Sequence, residues 1–303
     1  MEISMVSIFK NITARAIAHH INGKKFPVVI SSNSAFFYET LKYLDSHVKC
    51  VDLIHAFVHP EESGPEKWSL PYVNKLQQRV FIGQKAMDEM AQLYAKENLP
   101  SSLTSRFKLI RNYVEIPGNF IHNGITGTAR LIYIGRGTPE KRVHLAAKIS
   151  AKHRENSEAA PILLIGNMHN AIESDDLVHC DLIGVIQEEE EVYRHLLRSD
   201  ILLLTSSREG FPMAIAEAMA CGVIPITTAV GDIPNVIQDG VNGFLLPVVG
   251  ETEIIDKAIE IIHLLESNPS LTIRIREQAR KDAERMFSKD NFVESWNKIL
   301  TYQ

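Results

Sequence analysis

Cysteine is scarce in this chain. Cys50, Cys180 and Cys221 are the three among 303 residues, odd in number and far apart. Their spacing shows neither a disulfide framework nor a structural zinc motif, so a reducing cytoplasm is the simplest setting. No apolar run approaches the roughly 18 residues of a membrane span, and Met1 to Lys10 has no long apolar core of a signal peptide. Repeats and low-complexity tracts are missing as well. So is a basic excess: the formal charge of −5 argues against a dedicated nucleic-acid binder.

That charge is unevenly placed. Met1–Gly118 holds 14 Lys+Arg against 11 Asp+Glu, a balance of +3, and the remainder holds 18 against 26, a balance of −8. A small basic excess is ordinarily a solvated surface. It also fits an anionic acceptor, or peripheral contact of the N-terminal part with the inner face of a membrane.

What the chain does contain is strand–helix alternation, at a length that fits two domains. The N-terminal block opens with helical spacing over Ile8–Ile21. Strands follow at Phe26–Ile30, Val51–His55, Arg79–Ile82 and Phe107–Ile110, helices at Ala35–Leu44 and Lys85–Asn98, and a polar loop at Phe57–Leu70. Asn119 to Ala129 is polar and reads as a linker. Beyond it strands are expected at Leu131–Ile134, Ile162–Ile165, Leu182–Val185, Ile201–Leu204, Val223–Thr227 and Phe244–Leu246. Helices are expected at Val143–His153, Glu190–Arg198, Pro234–Gln238, Glu253–Glu266, Leu271–Met286 and Phe292–Leu300. The fold class this implies is α/β: two Rossmann-like domains facing a cleft, with parallel sheets and ligands beyond the carboxyl ends of the strands.

Ser199–Gly222 is the most informative stretch. Ile201–Leu204 suits a strand buried on both faces. Thr205–Gly210 is a polar turn, Pro212 suits the first position of a helix, and Met213–Cys221 suits the helix itself. Gly222 stands where a left-handed cap belongs, with Pro225 beyond. The open N–H groups of that helix mouth favour an anion. Glu209 and Glu217 flank it, which suits a ligand carrying both phosphates and hydroxyls. As plain structure, Glu209 would complement the helix dipole and Glu217 would be a surface charge. Glu217, however, lies in the apolar run MAIAEAMA, and a buried acid needs a partner.

Gly135-Arg136-Gly137-Thr138-Pro139-Glu140-Lys141 follows the first strand of the second block. Its glycines allow close backbone approach, and Arg136 with Lys141 suits a diphosphate; a solvated basic turn is the alternative. His55 ends a strand and His59 follows nearby, but no carboxylate or cysteine beside them supports a metal. Asp200 reads as a structural turn residue. Thr227, Thr228, Gly231 and Asp232 stand where they could line the same site from the side.

Taken in order, LIYIGRGTPEKR, LLLTSSREGFPMAIAEAMACGVIPI and VGDIPNVIQDGVNGFLLP resemble glycosyltransferase family 4, whose members are GT-B-fold, retaining and nucleotide-sugar dependent. The resemblance runs from about Val51 to the C-terminus and is strongest over Leu131–Pro247. It implies that Arg136 and Lys141 neutralise the donor diphosphate, with Gly135 and Gly137 in the same donor-binding loop. It implies that Glu209 contacts the donor sugar. The N–H groups around Gly210 and Phe211, ahead of Pro212, would hold phosphate, and Glu217 the nucleotide ribose. His55 is similar to a histidine that lines the donor sugar in some members. Ile110–Val114 is similar to the family's interdomain segment, with Tyr113 replacing the usual glycine. The final helix, 289–303, is similar to one that packs back on the N-terminal domain.

The implied domains are 1–118, acceptor-side, and 127–288, donor-binding. No metal and no cofactor is expected beyond the nucleoside-diphosphate sugar as co-substrate. The acceptor would be a glycan, a lipid-linked molecule or a small molecule. Met1–Lys25 is too short for the first strand–helix units of such a fold, so the chain resembles a member reduced at its N-terminus. That departure motivates an alternative, a non-catalytic nucleotide-sugar-binding subunit; a nucleotide-sugar epimerase is a weaker one.

Overall fold

Short segments bounded by polar turns become parallel strands in both halves of the chain, mixed in composition in the first and mostly apolar in the second. The computed structural model describes residues 5–32, 34–55, 64–118, 120, 123–155, 157–168 and 171–301. His59 and Asn119 lie outside the described residues. One unit comprises Met1–Arg111 with Phe292–Gln303, and the other Asn112–Asn291.

The first unit runs α1 (Met5–Asn22), β1 (Val28–Ser32), α2 (Ala35–Leu41), β2 (Lys49–Ile54), α3 (Pro65–Trp68), β3 (Gln78–Phe81), α4 (Gln84–Lys96) and β4 (Phe107–Leu109). Its strands pair in parallel in the order β1-β2-β3-β4. Ser34 caps α2 by accepting from the Phe37 N–H, the usual device for an orphan first-turn donor. Val51, Val80 and Ile110 form one apolar cluster with Ile299 of the last helix, α10 (Lys289–Leu300), against which Phe292 and Trp296 also pack. The expected loop before Leu70 contains α3, and a 3₁₀ turn follows at Leu70–Lys75.

This unit encloses a charge. Arg79 and Asp52 are both buried, and the Arg79 Nε and Nη2 donate to Asp52 Oδ2 at 3.0 and 2.6 Å. The Tyr38 hydroxyl donates to the same carboxylate, and Arg79 Nη1 donates to the Tyr94 hydroxyl at 2.9 Å. Shared bonds of this kind make a buried ion pair tolerable.

The second unit contains β5 (Leu131–Ile134), α5 (Val143–Arg154), β6 (Ile162–Ile165), β7 (Cys180–Gly184), α6 (Glu189–Leu196), β8 (Ile201–Leu204), α7 (Met213–Ala220), β9 (Ile224–Thr228), β10 (Phe244–Leu246), α8 (Glu251–Ser267) and α9 (Pro269–Met286). All strands are parallel, in the order β10-β9-β8-β5-β6-β7. The chain leaves β5 first toward β7, then returns to the other side of β5 as β8. The β5–β8 seam is therefore the topological switch point, where open α/β sheets hold ligands. Asp200 locks the start of this seam: it accepts from the Arg130 backbone N–H and Nε and pairs with buried Arg276. Its structural reading holds.

The division between units falls at Arg111/Asn112, ahead of the polar stretch read as a linker. Residues after Asn112 pack on the second unit because they carry apolar anchors. Val114 and Ile125 are buried in its core, Val114 N–H donates to Phe287 O, and Arg280 donates to Pro117 O at 2.7 Å. The expected helix at Pro234–Gln238 is a single 3₁₀ turn, Ile233–Asn235. The Gln238 N–H turns away to the side chain of Asn242. Among the described residues no helix is long and apolar enough to cross a membrane.

Candidate functional site

Two loops meet at the switch point. The loop after β5 carries Gly135–Arg142, and the loop after β8 carries Thr205–Pro212. Several bonds join them. Lys141 Nζ donates to Glu209 Oε1 at 2.5 Å, where the side chains are 16% and 8% exposed. Ser207 N–H donates to the Glu140 carbonyl at 2.7 Å. Arg142 donates to the carbonyls of Thr205 and Ser206 at 2.7 and 3.0 Å, and to Val248 O at 3.1 Å.

Glu209 is thereby fixed. The Ser206 hydroxyl donates to its Oε1 at 2.7 Å, and its backbone is braced from behind by the turn after β9. Gly231 has φ +61, and a Cβ there would lie 2.2 Å from Glu209 O and 2.5 Å from Gly210 O. Only glycine permits both that conformation and that approach. Asp232 N–H donates to Gly210 O at 2.7 Å, and Thr228 Oγ1 donates to Ser206 O. The residues after β9 therefore support the loop that carries Glu209.

Pro212 caps α7 with extended backbone. Ile215 N–H turns back to Pro212 O at 3.1 Å, while the N–H groups of Met213 and Ala214 come too early for an acceptor within the helix, so Gly210, Phe211 and the start of α7 present a donor-rich mouth. Phe211 is held by stacking on Phe287 at 5.4 Å. Gly222 closes the helix with φ +66.

Arg136 differs from Lys141. Its side chain is 73% exposed, and its nearest carboxylate, Glu140, is 3.9 Å away. The Thr138 hydroxyl holds Glu140 below the usual carboxylate range, helped by the residue's own backbone N–H. Gly135 and Gly137 serve the scaffold directly. Their N–H groups donate to Ile165 O and Asn167 O at 3.0 and 2.7 Å, and a Cβ on Gly137 would meet Ala171 and Met168 within 3 Å. Gly137 thus packs closely against the loop after β6, and Gly135 against the ring of Tyr133. That loop borders a cavity of about 550 Å³ at the ends of β6 and β7, lined by Gly166, Met168, Ile172, Ile183 and Val185.

Glu217 sits on α7, half-buried. Burial, and secondarily the charge of Glu189 on α6, push its carboxyl up to about 7. His55 belongs to the other unit. It is exposed at the end of β2, with Nε2 2.7 Å from Ser32 Oγ at the end of β1. The second unit thus joins Glu209 to Lys141, places Arg136 on the same loop and Glu217 on the helix behind; His55 stands in its own unit. Sequence reasoning does not single out Arg142 or Ser206. The Glu-Lys-Arg run offers a faint signal for Arg142, whose left-handed φ of +45 turns its guanidinium onto the neighbouring loop. Among the described residues, no cluster of three or more His, Cys, Asp or Glu is placed to hold a metal.

Residues 119–282 match the family model described as glycosyl transferases group 1. The chain is 32% identical over 173 residues to N-acetyl-alpha-D-glucosaminyl L-malate synthase of Bacillus anthracis, covering 56% of this chain and 44% of that protein. It spans less than half the length of the curated relatives it matches. Among solved structures, Anabaena HepE in complex with UDP superposes with a TM-score of 0.73 at 15% identity, over 96% of this chain and 81% of that one. A glycosyltransferase from Rickettsia africae gives 0.72 at 18% identity, over 100% and 85%. At such identities the likeness is one of fold, and the fold is that of the GT-B class.

Proposed function

Because the chain belongs to the glycosyl transferases group 1, we propose that it moves a sugar from a nucleoside diphosphate to an acceptor hydroxyl with retention of configuration. The observation that carries this reading is the Lys141–Glu209–Ser206 arrangement at the β5–β8 switch point. It sets an oriented carboxylate, a cation and a helix mouth side by side.

In this reading the α7 mouth holds the diphosphate by its N–H groups. Lys141 and the freely exposed Arg136 take the charge that grows on the diphosphate as the bond to the sugar C1 breaks. Those two cations do the work otherwise done by a metal. Glu209 accepts from the sugar hydroxyls and so fixes the ring. Its Oε1 is already occupied by Lys141 and Ser206, which suits positioning better than nucleophilic attack. The acceptor oxygen then bonds to C1 on the face the diphosphate leaves, and its proton passes to the departing phosphate oxygen. Glu217 grips the ribose, and the cavity between the ends of β6 and β7 takes the base. The acceptor is a glycan, a lipid-linked molecule or a small molecule, and the first unit makes peripheral contact with a membrane.

The test is calorimetry with UDP and GDP, followed by turnover with a panel of their sugars and hydroxyl acceptors, with and without EDTA. The expected result is nucleotide binding, EDTA-insensitive transfer, and a product whose anomeric coupling matches the donor. Binding without transfer would assign the chain to the non-catalytic alternative. Loss of turnover with EDTA would overturn the role of the cation pair.

A further inference from the structure

Between Glu2 and Glu39 the sequence contains no acidic residue, yet it contains Lys10, Arg15, Lys24, Lys25, His19 and His20. Half of this stretch is α1. The helix meets α2 through small side chains, with Ala14 and Ala18 fully buried. Helical periodicity turns Phe9, Ile12 and Ala16 to the opposite side. Phe9 is 64% and Ile12 58% exposed, Ile17 flanks them, and Phe26 just beyond the helix is 64% exposed.

Cations lie along the flanks of the helix and just beyond its end. Lys25 lies over the Phe26 ring at 5.3 Å, and the Arg15 guanidinium over Tyr43 at 5.1 Å. Lys10 lines a cavity of about 540 Å³ together with Phe36, Trp68 and Tyr72. Lys42 and Glu39 line it too and neutralise each other as an ion pair. Large apolar side chains left in water on a helix whose only charges are positive suit one environment: the headgroup region of an anionic bilayer. There the strip enters the acyl boundary, the cations meet lipid phosphate, and an exposed tryptophan suits the interface. A protein partner would account for the apolar strip without requiring a flanking stretch that carries cations and no acid.

We propose that α1 lies in the interface of an anionic membrane, with Phe9, Ile12 and Ala16 toward the acyl chains and Lys10, Arg15, Lys24 and Lys25 on the phosphates. The proposal gives a surface and a partner to the membrane contact named above. It concerns the first unit alone, so it stands or falls independently of sugar transfer.

The test is flotation of the full chain with vesicles of phosphatidylcholine containing 30% phosphatidylglycerol, against pure phosphatidylcholine. The expected result is partition onto the anionic vesicles, at least ten-fold weaker on neutral ones and reduced by 0.5 M salt. Phe9→Ser with Ile12→Ser should lower partition about ten-fold or more with unchanged circular dichroism, since both side chains are exposed. Lys24→Gln with Lys25→Gln should lower it about five-fold per charge. Equal binding to both vesicles, no binding to either, or full binding by the serine variant would overturn the proposal. So would a monomer–dimer equilibrium by sedimentation velocity that the serine variant abolishes, which would assign the face to a second copy.

Discussion

Lys141 Nζ and Glu209 Oε1 meet at 2.5 Å although the residues are 68 positions apart in the chain. Each is the other's charge partner at a largely buried point, and the two loops of the switch point are held in register by the pair. Replacing Lys141 by alanine leaves a carboxylate with the Ser206 hydroxyl still donating to it, a loss of about 1–3 kcal/mol in stability. Turnover should fall at least a hundred-fold in both Lys141→Ala and Glu209→Ala while circular dichroism stays native. A double variant no slower than either single one would show that the pair acts as a unit. Wild-type rates in both single variants would refute the assigned roles.

Gly231 offers a test of geometry alone. Alanine there would drive a Cβ to 2.2 Å from the Glu209 carbonyl, against backbone that is tied down on both sides. We expect a folded protein with the Glu209 loop displaced and turnover reduced more than a hundred-fold. Gly240 supplies the control: it has φ +70, and a Cβ there would meet nothing within 4 Å. Gly240→Ala should carry only the local cost of left-handed backbone, about 1 kcal/mol, and keep its activity.

Glu217 predicts a pH dependence. Its folded value of about 7 lies above the ordinary carboxylate value. A carboxyl raised in this way contributes stability that is complete below its unfolded value near 4.5 and lost as pH rises through 7. Ligand-free protein should therefore lose stability between about pH 4.5 and 7, and Glu217→Gln should flatten that decline. The same variant should weaken nucleotide binding at about pH 8, because the proposed ribose contact needs the ionised acid. Melting curves across pH, with and without UDP, measure both. Glu189→Gln should lower the Glu217 value without touching the proposed ligand contact.

The buried pair of the first unit predicts a large, local loss. Arg79→Met leaves Asp52 charged and enclosed, with the Tyr38 hydroxyl its one remaining donor among the described residues. A cost of about 3–5 kcal/mol follows. Adding Asp52→Asn should recover part of it. Urea unfolding followed separately by nucleotide binding and by total circular dichroism would show whether the loss stays in the first unit.

Much of the second unit is legible in its amino-acid sequence. Leu131–Ile134, Ile162–Ile165, Ile201–Leu204 and Phe244–Leu246 are hydrophobic runs closed by glycine, threonine or proline, and they fold as read. The Glu209–Glu217 spacing around a proline-led helix is equally visible, because strand, loop and helix are local. What stays hidden depends on partners distant in sequence. Nothing local tells that Arg142 grips the carbonyls of Thr205 and Ser206, or that Asp52 and Arg79 on neighbouring strands neutralise each other. The unit boundary escapes for the same reason. A polar stretch looks like a linker unless Val114 and Ile125 are known to enter the second core.

The β5–β8 seam has a consequence for how this site comes into being. Its two strands are adjacent in the sheet, but the whole β6–β7 excursion lies between them in the chain. No fragment containing only one strand–loop–helix can assemble the Lys141–Glu209 bridge. The site exists only once that long-range pairing has closed, which is the slow kind of contact in folding. Nucleotide binding during refolding would then report the last seam of the sheet to zip, and it should lag the recovery of helix.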